Sequence, residues 1–469
     1  MLKTILTVLS LLAAIGTAKA QGLAPDELQR RAIERRAVEA VIWGMPAVNY
    51  DLMLQEMLTK TEGTVNQVTY WSRPVDWHNQ TLTPNPDAIY FMVFFDTKEA
   101  GPIVIDVPPA EGGSFAANID TVWQMPLEDA GPYGEDKGAG GKYLILPPGY
   151  QGKAPDGYIA VQSETFGGYA LLRSNLASHG DADIEKAVAY GKRLKVYPLS
   201  QEASPPETKF TDANGVLYDS TIPYDIRFFE SLDRIVQSEP WLTRDKAMID
   251  QLKFIGIEKG KPFAPDAETT AILNDAATEA RAFLDQMYEA GYPPFFPTAH
   301  WAVPAFPDLV KAGSSGYAET DIYPVDYRAL TYSMGYIGIK RLGTAQTYLI
   351  ANKDKDGEPL AGDKSYRLHV PPKVPVELYW SVTVYDRETH ALVKNMDRAS
   401  RASNAAEVQP NPDGSTDIFF GPKAPEGKES NWVPTDPQRG FELLFRLYSP
   451  TQALFEKKVW TLPDVEKVN

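Results

Sequence analysis

Residues 83–95 read TPNPDAIYFMVFF. The run 89–95 is apolar and aromatic throughout, as a buried β-strand would be, and the two prolines before it mark a turn. Similar short runs bounded by Gly and Pro recur at 102–107, 143–146 and 158–162. Short strands at this spacing are typical of an antiparallel sandwich rather than a parallel α/β sheet.

Other segments of the chain have helical periodicity. Residues 21–60 predict two helices, because Pro46 should end or kink the first of them. A helical subdomain follows the first β module, with Asp266 placed to cap its last helix and Gly291 placed to end it. Strand patterns return after Asp321 and continue to the C-terminus.

The predicted fold class is therefore mixed and mainly β: two antiparallel β-sandwich or jelly-roll modules, a helical subdomain and an N-terminal helical segment. At roughly 100–200 residues per domain, a chain of 469 residues is long enough for this organisation. The predicted boundaries are 21–60 for the N-terminal helices, 61–205 for the first sandwich, 206–320 for the helical subdomain and 321–469 for the C-terminal jelly roll.

Residues 1–20 have the pattern of a secretory signal peptide. Lys3 supplies the positive charge, 5–15 is the apolar stretch, and Ala-Lys-Ala at 18–20 is a cleavage site. The apolar stretch is too short to cross a bilayer, whose hydrocarbon core is about 30 Å thick. The sequence predicts a periplasmic or secreted protein that does not associate with a membrane after cleavage.

Composition excludes several classes of function. The chain has 62 acidic and 46 basic residues, a net charge of −16 and no cysteine. Because an acidic surface repels phosphate backbones, nucleic acid is not an expected partner. The absence of cysteine excludes disulfides, thiolate metal sites and a cysteine nucleophile.

No cofactor or metal site is predicted. The five histidines are far apart in the sequence, so a histidine-rich site would have to be assembled from distant segments. The stretch DKDGE at 354–358 has oxygen ligands typical of a calcium loop, but Ser365 stands where an EF-hand has glutamate. A charged hairpin turn explains this stretch without a metal, and calcium is the alternative.

The first candidate site residues lie in the loop before the apolar run. Its prolines restrict the backbone, so that Asn85 and Asp87 are presented in a fixed direction, with Tyr90 close behind. Turn chemistry alone also accounts for an amide and a carboxylate beside proline.

The second group lies in NIDTVW at 118–123. In a strand, Asn118 and Asp120 point to one face and Trp123 to the other. A buried Asp120 would need an arginine or hydrogen-bond donors, and Arg173 is the candidate partner. The alternatives are an active-site carboxylate and a structural Asp–Arg pair.

The C-terminal module contributes arginines on or near strands, Arg401 and Arg446 among them. Arginine suits two-pronged recognition of a carboxylate or phosphate, and it suits an internal salt bridge equally well.

These motifs resemble two families. The N-terminal part is similar to domain of unknown function 1254, and the C-terminal part to its usual partner, domain of unknown function 1214. The N-terminal resemblance rests on WGMP at 43–46, the loop at 83–90, NIDTVW at 118–123, GKYL at 141–144 and FGGY at 166–169. The C-terminal resemblance rests on WSVTVYD at 380–386, NWVP at 431–434 and RLY at 446–448. The resemblance implies an exported bacterial protein with two β-sandwich or jelly-roll units and a helical subdomain, and no established catalytic residues.

The sequence predicts an enzyme, a hydrolase or lyase, that acts on a small polar or sugar-like compound in a cleft between the modules. Asp87 and Asp120 would be the paired acid–base carboxylates. The predicted substrate-binding residues are Asn85, Tyr90, Asn118, Trp123, Arg173 and Arg401. The alternative is a non-catalytic protein that binds a glycan or another ligand, or serves in assembly, and homo-oligomerisation is left open.

Overall fold

The structure is a computed structural model that describes residues 24–335, 337–343 and 345–468. The predicted signal peptide lies outside these residues. No helix within the three ranges is both long enough and apolar enough to span a bilayer.

The described chain begins with one long helix, α1 (Pro25–Lys60). The prediction that Pro46 separates two helices is wrong, because α1 continues through that proline. A proline inside a helix removes a backbone hydrogen bond and costs roughly 3 kcal/mol. Residues 40–51 are all buried, and α1 packs against several later helices, so that apolar burial offsets this cost.

The first β unit follows α1. Its elements are β1 (Val68–Tyr70), β2 (Asn79–Gln80), β3 (Ala88–Asp96), β4 (Ile103–Val107), β5 (Phe115–Thr121), β6 (Pro126–Ala130), β7 (Gly141–Leu146), β8 (Tyr158–Gln162), β9 (Gly167–Asn175), α2 (Asp181–Gly191), β10 (Lys195–Pro198), β11 (Phe210–Asp212) and β12 (Tyr218–Asp219). They form a six-stranded sheet in the order β11-β1-β3-β9-β5-β6, a four-stranded sheet in the order β10-β4-β7-β8, and the pair β12-β2.

Strand β3 is buried on both faces, which explains its unbroken apolar run. Ile89 and Phe91 share a hydrophobic core with residues of the four-stranded sheet. Tyr90 and Met92, on the opposite face, belong to the core formed with the helices. Strands covered on both sides lose the alternation of apolar and polar residues.

In the sequence, the helical part lies between the two β units. Its helices are α3 (Ile226–Ser238), α4 (Met248–Phe254), α5 (Ala267–Ala290), α6 (Pro307–Ser314) and α7 (Val325–Met334). Both predicted ends of α5 are confirmed. The Asp266 carboxylate accepts a hydrogen bond from the Thr269 amide at 2.8 Å, and Gly291 ends the helix with a φ of 84°.

The second β unit contains β13 (Gln346–Ala351), β14 (Ser365–Val370), β15 (Trp380–Asp386), β16 (Ser400–Ala402), β17 (Thr416–Gly421), β18 (Trp432–Pro434), β19 (Phe441–Tyr448), α8 (Gln452–Glu456) and β20 (Glu466–Val468). One four-stranded sheet has the order β13-β19-β15-β16 and the other has the order β18-β17-β14-β20. Apolar residues from both sheets share a core.

The mixed character of the fold is confirmed, because several β-sheets and eight α-helices occur among the described residues. The chain is not mainly β, since these helices contain slightly more residues than the strands, and the sheets are not wholly antiparallel. Strand pairs β1–β11, β2–β12, β7–β8 and β17–β18 are parallel. Two neighbouring parallel strands need a connection that carries the chain back to the end of the sheet where the first strand began. Residues 147–157 form this connection between β7 and β8. In the three larger sheets that contain a parallel pair, that pair lies at an edge.

One hydrophobic core joins the parts of the molecule. It contains Tyr90 from the first β unit, Ala276 from α5, Leu330 from α7, and Tyr385 and Leu444 from the second unit. The face of β3 that carries Tyr90 is therefore directed toward the junction of both units with the helices.

Candidate functional site

A cavity of about 270 Å³ lies at this junction, and we name it the junction cavity. Its walls come from loop 83–90, strands β13 and β19, helices α6 and α7, and residues 337–343, which we name the cavity segment. The lining is mostly apolar. The apolar side chains that line it are Pro126, Val303, Pro304, Ala305, Leu309, Val310, Met334, Ile337, Ile339, Leu342, Leu444 and Phe455.

Two charged side chains line the junction cavity among the described residues, and both are arginines. Arg173 is 3% exposed and Arg446 is 2% exposed. The chain as a whole carries a net charge of −16, so the cavity has the opposite sign to the molecule around it. Buried positive charge in an apolar cavity attracts an anionic group strongly, because little water is present to screen it.

Arg446 is held by neutral acceptors. On β19, its guanidinium donates hydrogen bonds to the Thr83 carbonyl at 2.9 Å, the Thr383 hydroxyl at 2.9 Å and the Tyr385 hydroxyl at 2.6 Å. No carboxylate of the described residues lies within 4.0 Å of it. A buried charge without an opposite charge is costly, and a bound anion would remove that cost.

Arg173 lies on β9 and approaches the same cavity from the first β unit. Its Nη1 donates to Asn118 Oδ1 at 3.1 Å, and its guanidinium lies 5.9 Å from the centre of the Tyr90 ring. Residues on β5 and β3, the two neighbours of β9, thus position this arginine.

Asn85 fixes the loop that closes one side of the cavity. Its backbone amide donates to the Tyr90 hydroxyl at 2.7 Å, and its side-chain amide donates to the Tyr448 hydroxyl at 2.7 Å. Its side-chain oxygen accepts from the Asp87 amide at 3.0 Å. Asn85 therefore ties the turn before β3 to strand β19 of the second β unit.

Asp120 is completely buried on β5, next to the junction cavity. Burial, with a smaller contribution from nearby Asp129, raises the pKa of this carboxyl well above its usual range, while Arg173 and the Gly338 backbone oppose the shift. Gly338 lines the cavity, and a Cβ there would overlap the Asp120 carboxylate and the Gln124 carbonyl oxygen. Asp120 is thus a carboxyl that favours its protonated form, behind the cavity segment.

Asp87 lies beside a different cavity. It shares a space of about 300 Å³ with His179, Ser400 and Arg401, which we name the seam cavity. The two predicted acid–base carboxylates, Asp87 and Asp120, therefore do not line one cleft.

The remaining predicted residues lie near the junction cavity or in the core. Asn85, Tyr90 and Arg173 line the cavity together. Asn118 is behind Arg173 and also donates to Asp129 at 2.8 Å. Trp123 packs against Trp43, with ring centres 4.6 Å apart, in the core beside α1.

Sequence reasoning missed most of the junction cavity. Arg446 stood out as a strand arginine, but nothing in its local pattern distinguished a ligand-binding role from a salt bridge. Gln124, Tyr332 and Tyr348 also line the cavity and were not predicted. Gln124 accepts a hydrogen bond from Tyr169 at 2.6 Å, a contact between residues 45 positions apart that no short motif could reveal.

The stretch 354–358 forms a turn held by the protein's own groups. One oxygen of Asp354 accepts from the amides of Asp356 and Glu358, and the other lies 3.0 Å from the Lys467 ammonium. Within the described ranges, no group of three or more His, Asp or Glu side chains is arranged to hold a metal ion.

Comparisons with known proteins find family matches for two segments of the chain. Residues 65–198 match the family described as protein of unknown function DUF1254, and residues 345–452 match protein of unknown function DUF1214. The two matches lie along the chain in the predicted order, DUF1254 before DUF1214. The predicted resemblance is therefore confirmed. A comparison with curated proteins finds no match.

One solved structure supports the fold of this chain, and a second was also matched. The VPA0106 protein of Vibrio parahaemolyticus is 18% identical with a TM-score of 0.57, over 93% of this chain and 100% of that one. An uncharacterised protein of Burkholderia cenocepacia is 12% identical with a TM-score of 0.43, over 94% of this chain and 95% of that one. At 18% identity, the Vibrio structure supports the fold alone.

Proposed function

We propose that the protein binds, in its junction cavity, a small molecule with an apolar body and one anionic group. The observation that carries this proposal is that Arg173 and Arg446 are the charged side chains among the described lining residues, and both are buried. A carboxylate is the simplest group that would complement them. This ligand is less polar than the sugar-like compound expected from the sequence, because most of the lining is apolar.

The geometry supports a defined orientation of the ligand. The arginines, Asn85 and Tyr90 come from the two β units, whereas the cavity segment and helices α6 and α7 supply apolar side chains. The anionic group would therefore face the strands and the apolar body would face the helices. A pocket that combines a mostly apolar lining with a few convergent polar groups is typical of small-molecule sites.

A second candidate function is catalysis by Asp120. A carboxyl whose pKa is raised by burial can donate a proton near neutral pH, which a hydrolase or lyase would use. Paired carboxylate chemistry with Asp87 has less support, because Asp87 lies beside the seam cavity. Location in the periplasm or outside the cell remains a proposal that rests on residues 1–20.

Matched ligands test the binding proposal. Isothermal titration calorimetry would compare hexanoate with hexanol, and benzoate with benzyl alcohol. We expect each carboxylate to bind about tenfold more tightly than its alcohol, because a carboxylate forms stronger, charge-assisted hydrogen bonds with the cavity arginines than a neutral hydroxyl does. Equal affinities within both pairs, or no binding by any of the four compounds, would contradict the proposal.

Variants show whether the arginines cause that preference. We expect Arg446→Gln to reduce the carboxylate affinity to about that of the alcohol. Arg367→Gln, at a half-buried arginine on β14 that pairs with Glu466 and does not line the junction cavity, serves as the matched control and should not change the affinity. The thermal midpoint of each variant establishes folding, and Arg173→Gln gives an independent second variant. If ester analogues of these acids are hydrolysed and Asp120→Asn abolishes turnover but not binding, the catalytic candidate is supported.

A further inference from the structure

The seam cavity is separate from the junction cavity and has a different chemistry. It lies between the loop that precedes β3 and strand β16 of the second β unit, with His179 contributed from the segment after β9. Asp87 and Arg401, one acid and one base, are both almost completely buried there, at 1% and 5% exposure. A proposal for this cavity does not depend on the anion site of the junction cavity.

Arg401 presents one unused edge of its guanidinium. Its Nη1 lies 3.4 Å from the Ser400 carbonyl oxygen and 3.6 Å from Glu407 Oε1. Its Nε and Nη2 are buried, and neither has a hydrogen-bond partner among the described residues. The N–H groups of Nε and Nη2 lie side by side, and this edge of arginine binds the two oxygens of a carboxylate.

Asp87 presents one unused acceptor. Its Oδ1 accepts a hydrogen bond from the Ser400 hydroxyl at 2.8 Å and lies 3.6 Å from His179 Nε2. Its Oδ2 is buried and accepts no hydrogen bond from the described residues. Each buried polar group without a partner costs about 1–3 kcal/mol, so this arrangement favours a ligand that satisfies several of them together.

We propose that the seam cavity binds a small 2-amino acid. The ligand's carboxylate pairs with the free edge of Arg401, and its ammonium group donates to Asp87 Oδ2. Opposite charges on the two buried side chains match the opposite charges of a zwitterion, whereas a simple anion or a simple cation would satisfy only one of them. A volume of about 300 Å³ leaves room for a side chain on the ligand.

The test uses four probes that differ in one group. L-alanine has both charged groups, L-lactate replaces the ammonium with a hydroxyl, propionate lacks any donor, and ethylamine lacks the carboxylate. Titration calorimetry of the full-length mature protein should give the highest affinity for L-alanine, by about tenfold over each other probe. The proposal is overturned if propionate or L-lactate binds as tightly as L-alanine, or if no probe binds at about 10 mM.

Variants assign the binding to this cavity. Arg401→Lys keeps the charge but removes the paired N–H edge, and we expect about a tenfold loss of L-alanine affinity. Asp87→Asn keeps the shape and should give a similar loss, so that a folding defect in one variant still leaves the other informative. Arg367→Lys, at a half-buried arginine on β14 that does not line the seam cavity, is the matched control. If neither Arg401→Lys nor Asp87→Asn changes the affinity, this cavity is not the site.

Discussion

At the residue scale, Asp120 and Arg446 represent two ways to keep an ionisable group in the protein interior. Arg446 retains its charge and surrounds it with neutral acceptors, because arginine does not lose its proton in proteins. Asp120 instead favours its neutral form, because burial raises its pKa. Only the arginine therefore presents a full charge to a ligand in the junction cavity.

Asp120→Asn should make stability less dependent on pH. An aspartate in the unfolded chain has a pKa of about 4. Above that pH, Asp120 is ionised in the unfolded chain but stays protonated in the folded protein, where it is buried. Because burial raises the pKa of Asp120 in the folded protein, Asp120 makes its full contribution to the free energy of unfolding below about pH 4, and this contribution declines as the pH rises. We expect the variant to equal the wild type at pH 4 and to exceed it at pH 8 by on the order of 1 kcal/mol.

Urea unfolding at intervals between pH 4 and pH 8 measures this difference, with exposed Asp156→Asn as the control. A constant difference between Asp120→Asn and the wild type across that range would show that Asp120 does not titrate as its burial implies.

The sequence identified several junction residues but could not divide them between cavities. Period-2 alternation places Asn118 and Asp120 on one face, and both do act on Arg173. Asn85 and Asp87 are only two positions apart, yet they line different cavities. The turn between them contains a local hydrogen bond from the Asp87 amide to Asn85, but it is also fixed by hydrogen bonds with Tyr448 and Tyr379 of the second β unit, and local residue preferences do not contain that information.

At the scale of elements, the cavity segment depends on two acidic residues of β6. Asp129 accepts hydrogen bonds from the backbone amides of Lys340 and Arg341, at 3.2 Å and 2.7 Å. Glu128 forms ion pairs with the side chains of Lys340 and Arg341, and its Oε2 lies 2.9 Å from the Lys340 ammonium. These contacts hold in place a stretch whose Ile337, Ile339 and Leu342 side chains line the cavity.

Glu128→Gln should loosen the cavity segment. Burial raises the pKa of Glu128, but the hydrogen bonds from Lys340 and Arg341 outweigh it and leave the pKa lowered. The stabilisation that Glu128 provides by pairing with Lys340 and Arg341 is therefore present above the pKa of an unfolded glutamate. It is lost as the pH falls through the pKa that Glu128 has in the folded protein. We expect the variant to show faster amide exchange at 337–343 and about three- to tenfold weaker binding of hexanoate.

Hydrogen–deuterium exchange with mass spectrometry gives the first readout and calorimetry the second. Glu135→Gln is a close control, because Glu135 pairs with the same Arg341 but is exposed, where ion pairs contribute little. Equal exchange rates at 337–343 in Glu128→Gln and Glu135→Gln would refute a special role for Glu128.

Strands with a strong local pattern were predictable, whereas elements fixed by distant contacts were not. The expected runs 89–95 and 143–146 lie within β3 and β7. The cavity segment has no periodicity of its own, and its position depends on acids more than 200 positions earlier in the chain. Pro46 misled the helix prediction for the same reason, since packing around α1 overrides a local signal.

At the scale of the whole molecule, hydrogen bonds from the second β unit to loop 83–87 join the two units. Tyr385 donates to the Pro84 carbonyl at 2.5 Å, and Tyr379 donates to the Asp87 carbonyl at 3.0 Å. The core that contains Tyr90 also extends into the second unit. Because burial and hydrogen bonding both cross the junction, neither unit should unfold without exposing part of the other.

We therefore expect one unfolding transition for the whole protein. Tryptophan fluorescence and far-ultraviolet circular dichroism, followed in urea, should give coincident curves. Tyr385→Phe removes the bond to Pro84 and the one from Arg446, so its free energy of unfolding should fall by about 1–3 kcal/mol while the curves still coincide. Tyr150→Phe, at a partly exposed tyrosine of the β7–β8 connection, is the control and should change little. Two separated transitions in the wild type would mean that the shared core does not couple the units, and the junction cavity would then lack the rigid walls that its proposed selectivity requires.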